Sequence, residues 1–581
     1  MKHLQFLKNK FLLFLFLFYF TNLIAQIEVV VNAENDFLDK YSTQIIFLSD
    51  DLKDKMNLVE GFNVICKGFP LTQVDVSVNG GSFEQTGIFI DNVKFNDPQT
   101  GHYNLDVPFT VLDIEKINYI NRGTTLLGDG ALNGLLNIKL KETKDNKFEF
   151  LSEYGTYNTL TTAIRLSRKI EDVGFSISTE KSFSDGYHYD TDFDKQTLFL
   201  TGNYKIIKGQ IGYDEKKYGA YDYYTPYKNL PSYEYVITRY GKIEAEVIDG
   251  LKLASYIRTH SDRFTLNRDF PSYYQNQHLN MIYGGILNYD LYIDPYKNIF
   301  LKYDFVREEI NSNRLGKHHK VKNSLLINGV FNFFENLNAD ISISFQNYNL
   351  SNFYDLLPSM NIIYNINDNL SFNTYYSYSI RYPNFTELYY SDPYNNGNDQ
   401  LFAEKSNEIG ISGDFKIFAA SINSNIFYKN TFDLIDWSKE NISDTKWQIK
   451  NIGKVVTSGC NLKIGYAIFD FLKIIASYSY LNLYRSEEYT SKYGLFYLKN
   501  KLSLISEINI FEIIFTGEYI FKNYIERYDS ANIINLKIEK NINEHLKLSA
   551  NIDNLLNYYF EEIKGIPAPG RIISGMVKLE F

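Results

Sequence analysis

Histidine is scarce in this sequence, eight residues in 581, so the places where it stands among acids, amides and arginines are the first candidates for chemistry. Residues 96–104 read NDPQTGHYN and gather Asp97, Gln99, His102 and Tyr103 into one polar turn with a proline and a glycine. Residues 258–264 (RTHSDRF) and 276–278 (NQH) add Arg263 and His278, and 316–319 read GKHH. Side chains of these types hold a ligand by hydrogen bonds and charge, and they serve equally well as a solvated wall or loop. No CxxC or Cys/His spacing suits a metal, and no separate Ser/His/Asp constellation suits acyl transfer. The expectation is therefore no resident metal, no cofactor and no enzyme activity. Cys66 and Cys460 read as lone buried thiols with nothing to suggest that they meet.

The elements that must position these residues are strands. Aromatic residues make up 16% of the chain and charged residues 22%, with a mean hydropathy of -0.28. A transmembrane β-barrel reconciles the two, because lipid-facing and lumen-facing side chains alternate and aromatic girdles mark both interfaces. The alternation is visible in RIISGMVKLEF: Ile573, Gly575, Val577, Leu579 and Phe581 share one face, and Ser574, Met576, Lys578 and Glu580 the other. Leu546, Leu548, Ala550 and Ile552 repeat it, as do Phe175 and Ile177. From residue 144 to 581, at ~10 spanning residues per strand and a connection of similar length, about 22 strands are predicted. Unpaired backbone groups are costly in hydrocarbon, so the last strand must pair with the first, near residues 148–155. A net charge of -10 argues against nucleic-acid binding.

Residues 1–25 have the order of a signal peptide: Lys2, Lys8 and Lys10, an apolar run over 11–20, then Ala25. Residues 26–34 contain the short extended run Ile27, Glu28, Val29, Val30 and Val31, suited to adding as a strand to another protein's sheet edge or to starting the next domain. Residues 35–143 differ from everything after them. Short β-rich pieces at 74–78, 87–90, 114–120 and 134–139 are divided by glycine and acidic turns, which predicts a small mixed α/β domain able to plug the lumen of so wide a barrel.

Four separated motifs resemble the TonB-dependent outer-membrane receptors. They are DVSVNGGSFEQTGIFIDNVKFND (75–97), the stretch 113–141 with Arg122 and Gly123, SIRYPNFTELYY followed by GNDQLFAEKSNEIG (379–410, with Arg381 and Glu387), and the ending 551–581 with Arg571 and the terminal Phe581. Asn79 stands where that family usually has Arg, and Asn92 where it usually has Gly. The resemblance implies an all-β outer-membrane protein: a plugged barrel that imports a scarce metal chelate, cobalamin or a ferric siderophore, so that iron or cobalt is cargo. Within it, GSFEQT (81–86) and NDPQTGHYNLD (96–106) are most similar to cobalamin-receptor-like members. It further implies contact of residues 27–31 with TonB and its inner-membrane energising complex, insertion by the barrel assembly machinery among outer-membrane lipids, and ligand contact at Asp97, Gln99, His102, Tyr103, Arg263 and His278. The tyrosine-rich stretches 221–227 and 389–394 suit stacking of a planar ligand or an interfacial girdle. A passive channel or surface-binding barrel whose plug has lost energy coupling is the alternative.

Overall fold

The computed structural model describes residues 43–46, 59–224, 230–294, 297–349, 354–441, 443–486, 489–492, 497–525 and 530–581. The signal-peptide reading and residues 27–31 lie outside the described residues. Twenty-two antiparallel strands close into a barrel that begins at Lys147–Gly155 and ends at Ile572–Glu580. These two strands pair antiparallel, Ser574 opposite Gly155 and Glu580 opposite Glu149. Phe148 and Phe581 extend the seam by exchanging both main-chain hydrogen bonds (2.8 and 2.9 Å), so the predicted closure is the observed one. The predicted dyad also holds: in Val173–Ser184 the residues Phe175 and Ile177 face outward and Ser176 and Ser178 are buried. Among the described residues no helix is long and apolar enough to cross a membrane.

The two ends of the barrel differ. At one end several strands join through two residues, as between Ile170 and Val173, Tyr204 and Ile207, and Ile417 and Ala420. Glu171, Lys205 and Phe418 in these turns have φ near +50°, which gives the twist that antiparallel neighbours require. At the other end lie long connections, including 382–403, 433–454 and 554–571. Short turns face the periplasm and long loops the exterior in barrels of this kind.

The N-terminal region fills the lumen. Its sheet runs in the order Thr43–Ile46, Ile114–Ile120, Gly134–Leu140, Thr86–Ile90, Val93–Lys94, with Gly134–Leu140 and Thr86–Ile90 parallel. A hairpin of Phe62–Lys67 and Gln73–Val78 stands beside it. The helical part of this region, among the described residues, is three single 3₁₀ turns at Phe83–Gln85, Gly101–Tyr103 and Val111–Asp113. Val64, Val76, Ile88, Ile90, Ile117, Leu136 and Ile138 form its core, which continues onto Phe199, Tyr240, Tyr256 and Ile282 of the barrel wall. The inward face of the barrel is thus partly apolar, because it packs against protein and not against water.

The two departures from the family motifs have a backbone explanation. Asn79 has φ +44° and Asn92 φ +67°, in the left-handed region that asparagine tolerates best after glycine. Each side chain is also bonded: Asn79 Nδ2 donates to the Asn121 carbonyl, and Asn92 Oδ1 accepts from Asn137 Nδ2 at 2.9 Å and Lys139 Nζ at 3.1 Å.

Candidate functional site at the plug apex

Residues 96–104 form the plug's apex at the loop end, as the turn chemistry predicts, but loops and wall cover it. The Asp97 amide donates to Asn104 Oδ1 (2.8 Å), and its own Oδ1 accepts from the Gln99 amide (2.9 Å). That carboxylate lies 3.4 Å from both the Arg258 guanidinium and His260 Nδ1. Asn280 reaches down from the wall to donate to Gln99 Oε1 at 2.7 Å. Tyr103 donates to Glu234, which also accepts from Tyr218 and Tyr224; three hydroxyls thereby satisfy one buried carboxyl.

His102 is held inside the plug. Its Nδ1 is 3.0 Å from both oxygens of Asp75, its Nε2 is 3.5 Å from Lys67 Nζ, and its ring stacks on Phe83 at 4.2 Å. This pairing fits a neutral ring with the proton on Nδ1. Burial lowers its pKa, Asp75 raises it and Lys67 lowers it again, with a net downward shift. The neighbouring Asp106 is pushed up by burial, but Lys216 and His260 outweigh that and its carboxyl titrates below the usual range.

Of the two wall residues predicted, His278 faces inward, buried and 3.9 Å from Asp262. Arg263 does not: it lies on the outer face of Leu251–Thr265, exposed, with its guanidinium 5.3 Å from the Tyr235 ring. Strand alternation decides this, because Leu253 and Ile257 face outward and Arg263 shares their parity. The inward residues are Arg258, His260 and Asp262, which the sequence reading passed over for Arg263. Phase along the strand, counted from Ile257, is the signal that finds them.

The motif residues sit where loops, wall and plug meet. The Gly123 amide donates to Glu408 Oε2 (3.0 Å), Tyr375 donates to Glu408 Oε1 (2.9 Å), and the Arg122 guanidinium lies 4.4 Å from the Tyr375 ring. A Cβ at residue 123 would lie 2.7 Å from the Leu132 carbonyl oxygen, so glycine is required for the plug backbone to approach. Arg381 grips Glu387 through two parallel bonds of 2.9 Å and Glu404 through its Nε at 2.7 Å. Arg571 ties down the last long loop, its amide on Asn557 Oδ1 at 2.8 Å.

The described parts of the tyrosine-rich stretches, 221–224 and 389–394, are partitioned between these surfaces, and 225–227 lie outside the described residues. Tyr223 and Tyr224 pack on the plug hairpin, within bonding distance of Thr72 (3.3 Å) and Gln73 (3.0 Å), and Tyr389 stacks on His318 at 3.5 Å. Between apex and wall a cavity of about 40 Å³ remains, lined by Glu84, Asp97, Asp129, Lys320, Arg381 and Asn384 among others. That is room for one or two waters and not for a chelate. Among the described residues the site is therefore closed, and Asp97 Oδ2, His260 Nδ1, Asp262 Oδ1 and His278 Nδ1 are buried there without a hydrogen-bond partner.

A plugged 22-stranded barrel with loops folded onto the plug defines an outer-membrane receptor. The family described as TonB dependent receptor-like, beta-barrel, matches residues 118–555, and the chain belongs to that family. Among solved structures it is similar to the siderophore receptor PirA from Acinetobacter baumannii (12% identity, 93% of this chain and 98% of that one, TM-score 0.73). It is also similar to the FrpB iron transporter from Neisseria meningitidis (11%, 94% and 98%, 0.76). A mutant of the ferric enterobactin receptor PfeA from Pseudomonas aeruginosa compares likewise (13%, 91% and 96%, 0.71). No curated protein matches the chain.

Proposed function

We propose that this chain imports a metal chelate across the outer membrane, with ferric siderophores the leading class and cobalamin the other, and that energy from TonB drives the step. The observation that supports the reading is the way the barrel wall grips the plug's main chain. Lys501 donates to the Phe62 carbonyl (2.6 Å), Lys302 to that of Leu127 (2.7 Å) and Arg258 to that of Phe95 (2.7 Å); Lys216 donates to that of Thr72. Hydrogen bonds from charged donors are worth roughly 1.5–3 kcal/mol each. A chelate has no route through the lumen until several of them break together. Thermal motion does this rarely, so an external pull on the plug suits the architecture. Ligand recognition falls to the apex and the loops over it, where Asp97, Gln99, Tyr103 and His278 border the closed site, with Arg258, His260 and Asp262 joining them in place of Arg263.

The names of the structural neighbours guide the choice of first probes. Purified barrel should bind at least one ferric siderophore or cobalamin saturably in equilibrium titration. Absence of binding across a panel of both overturns the chelate assignment while leaving the receptor class intact.

A further inference from the structure

The long connection 382–403 is docked directly on the plug apex. Its helix α1 (Phe385–Tyr389) starts at Asn384, whose Oδ1 accepts from the Glu387 amide at 2.8 Å. The first amides of a helix have no partner within it. Here the Phe385 amide donates to the Pro98 carbonyl (2.8 Å) and the Thr386 amide to the Gln99 carbonyl (3.1 Å). The connection thus lies over the same Pro98–Gln99 turn that the import reading assigns to ligand contact. Gln85 of the plug adds a bond to Glu404 (3.1 Å) on the barrel side.

Glu84 stands at this junction. Its Oε1 accepts from the Gly101 amide (2.8 Å) and Thr100 Oγ1 (3.2 Å), and it borders the small cavity together with Lys94, Asp97, Asp129, Glu308, Lys320, Arg381 and Asn384. Glu387 and Arg381 act on it from the barrel side. Arg381 is already engaged by Glu387 and Glu404, and Lys94 and Lys320 by Asp129 and Glu308. His102 of the plug is engaged by Asp75. A charged Glu84 is therefore a third carboxylate beside one committed guanidinium.

We propose that the connection 382–403 is a strap closed over the plug apex in the unliganded receptor, and that negative charge on Glu84 loosens it. Burial first, and Glu387 second, raise the Glu84 carboxyl from 4.5 to about 7, outweighing the opposing pull of Arg381 and of the hydrogen bonds from the Gly101 amide and from Asn384 of the connection itself. A carboxyl raised on docking binds a proton that the undocked, solvated group gives up. Docking therefore weakens as pH rises from about 4.5 to about 7, and no further above that. The role of the strap in uptake rests on the import reading; the strap and its pH response do not.

The test is a distance measurement on the full-length barrel without ligand. Nitroxide labels are placed at D399C on the strap and D194C on the far wall, in a C66S/C460S background, and followed by pulsed electron resonance. Between about pH 5 and about pH 8 the wild-type pair should gain a second, displaced distance population, and E84Q should keep the acidic distribution throughout. A wild-type distribution unchanged over that range overturns the proposal, as does an E84Q protein that shifts like wild type. If E84Q does not give a compact, heat-modifiable barrel, E84A is read the same way. Chelate binding is not part of the readout, so failure here leaves the import reading standing, and failure of chelate binding leaves the strap standing.

Discussion

Arg381 and Glu387 face each other across the start of α1, joined by two parallel hydrogen bonds of 2.9 Å, with Glu404 bound to the same guanidinium at 2.7 Å. All three are buried. Two carboxylates share one cation, and each carboxylate has a second task. Glu387 caps the helix through the Asn384 amide (2.8 Å), and Glu404 accepts from the Ile435 amide (2.6 Å). Removing the cation leaves two buried charges exposed to each other. We expect Arg381→Ala to cost about 3–5 kcal/mol locally, read as faster hydrogen exchange at the Phe385 and Thr386 amides. Arg381→Lys should recover only part of this, because an ammonium cannot make the bidentate pair.

Gly123→Ala places a methyl group 2.7 Å from the Leu132 carbonyl oxygen and 2.9 Å from Ser379 Oγ. The Ser379 hydroxyl can rotate away but the Leu132 carbonyl is backbone, so the plug chain itself must shift where its Gly123 amide is bonded to Glu408. Overpacking of this kind costs roughly 1–3 kcal/mol. The expected consequence is intermittent plug displacement, seen as ion conductance in planar bilayers where the parent protein is silent. A silent variant would show that the approach at this glycine does not secure the plug.

The lowered pKa of His102 makes a signed prediction. As pH falls through the ordinary imidazole value of 6.5, the unfolded chain takes up a proton that the folded plug refuses, so stability drops on acidification by up to about 1.4 kcal/mol per pH unit. His102→Asn keeps a donor toward Asp75 and removes the titration. Denaturant midpoints at about pH 7 and about pH 5 should fall further for wild type than for the variant. Comparison at each pH cancels the opposite contribution of Glu84. Parallel curves would contradict the placement of a neutral His102 between Asp75 and Lys67.

Energy coupling is tested by deleting residues 27–33. Chelate binding to the purified barrel should be unchanged, and uptake by cells should fall to that of cells lacking TonB. Uptake that persists would make the protein a passive channel.

The strand array was legible because a lipid-facing surface forces every second residue to be apolar, whatever the residue is opposite. The four motifs were likewise local signals, whereas the left-handed backbone at Asn79 and Asn92 and the cap of α1 at Asn384 and Glu387 emerged only with the structure. Strand phase was less secure. Where the lumen is packed with protein, Tyr256 and Phe264 point inward beside Arg258, His260 and Asp262, so apolar residues occur on both faces and Arg263 was assigned to the wrong one.

By itself, then, the sequence determined the class of architecture and the closure of the barrel, since alternation, turn chemistry and terminal motifs act over a few residues. Only the tertiary structure decided which charges meet. Pro98 and Gln99 under α1, Glu404 on Gln85, and Asp97 against Arg258 and His260 are contacts between distant stretches, fixed by which strand lies beside which part of the plug. Whether His102 is open to a ligand or enclosed by Asp75, Lys67 and Phe83 depends on the same packing, because burial and partner geometry have no signature in local sequence.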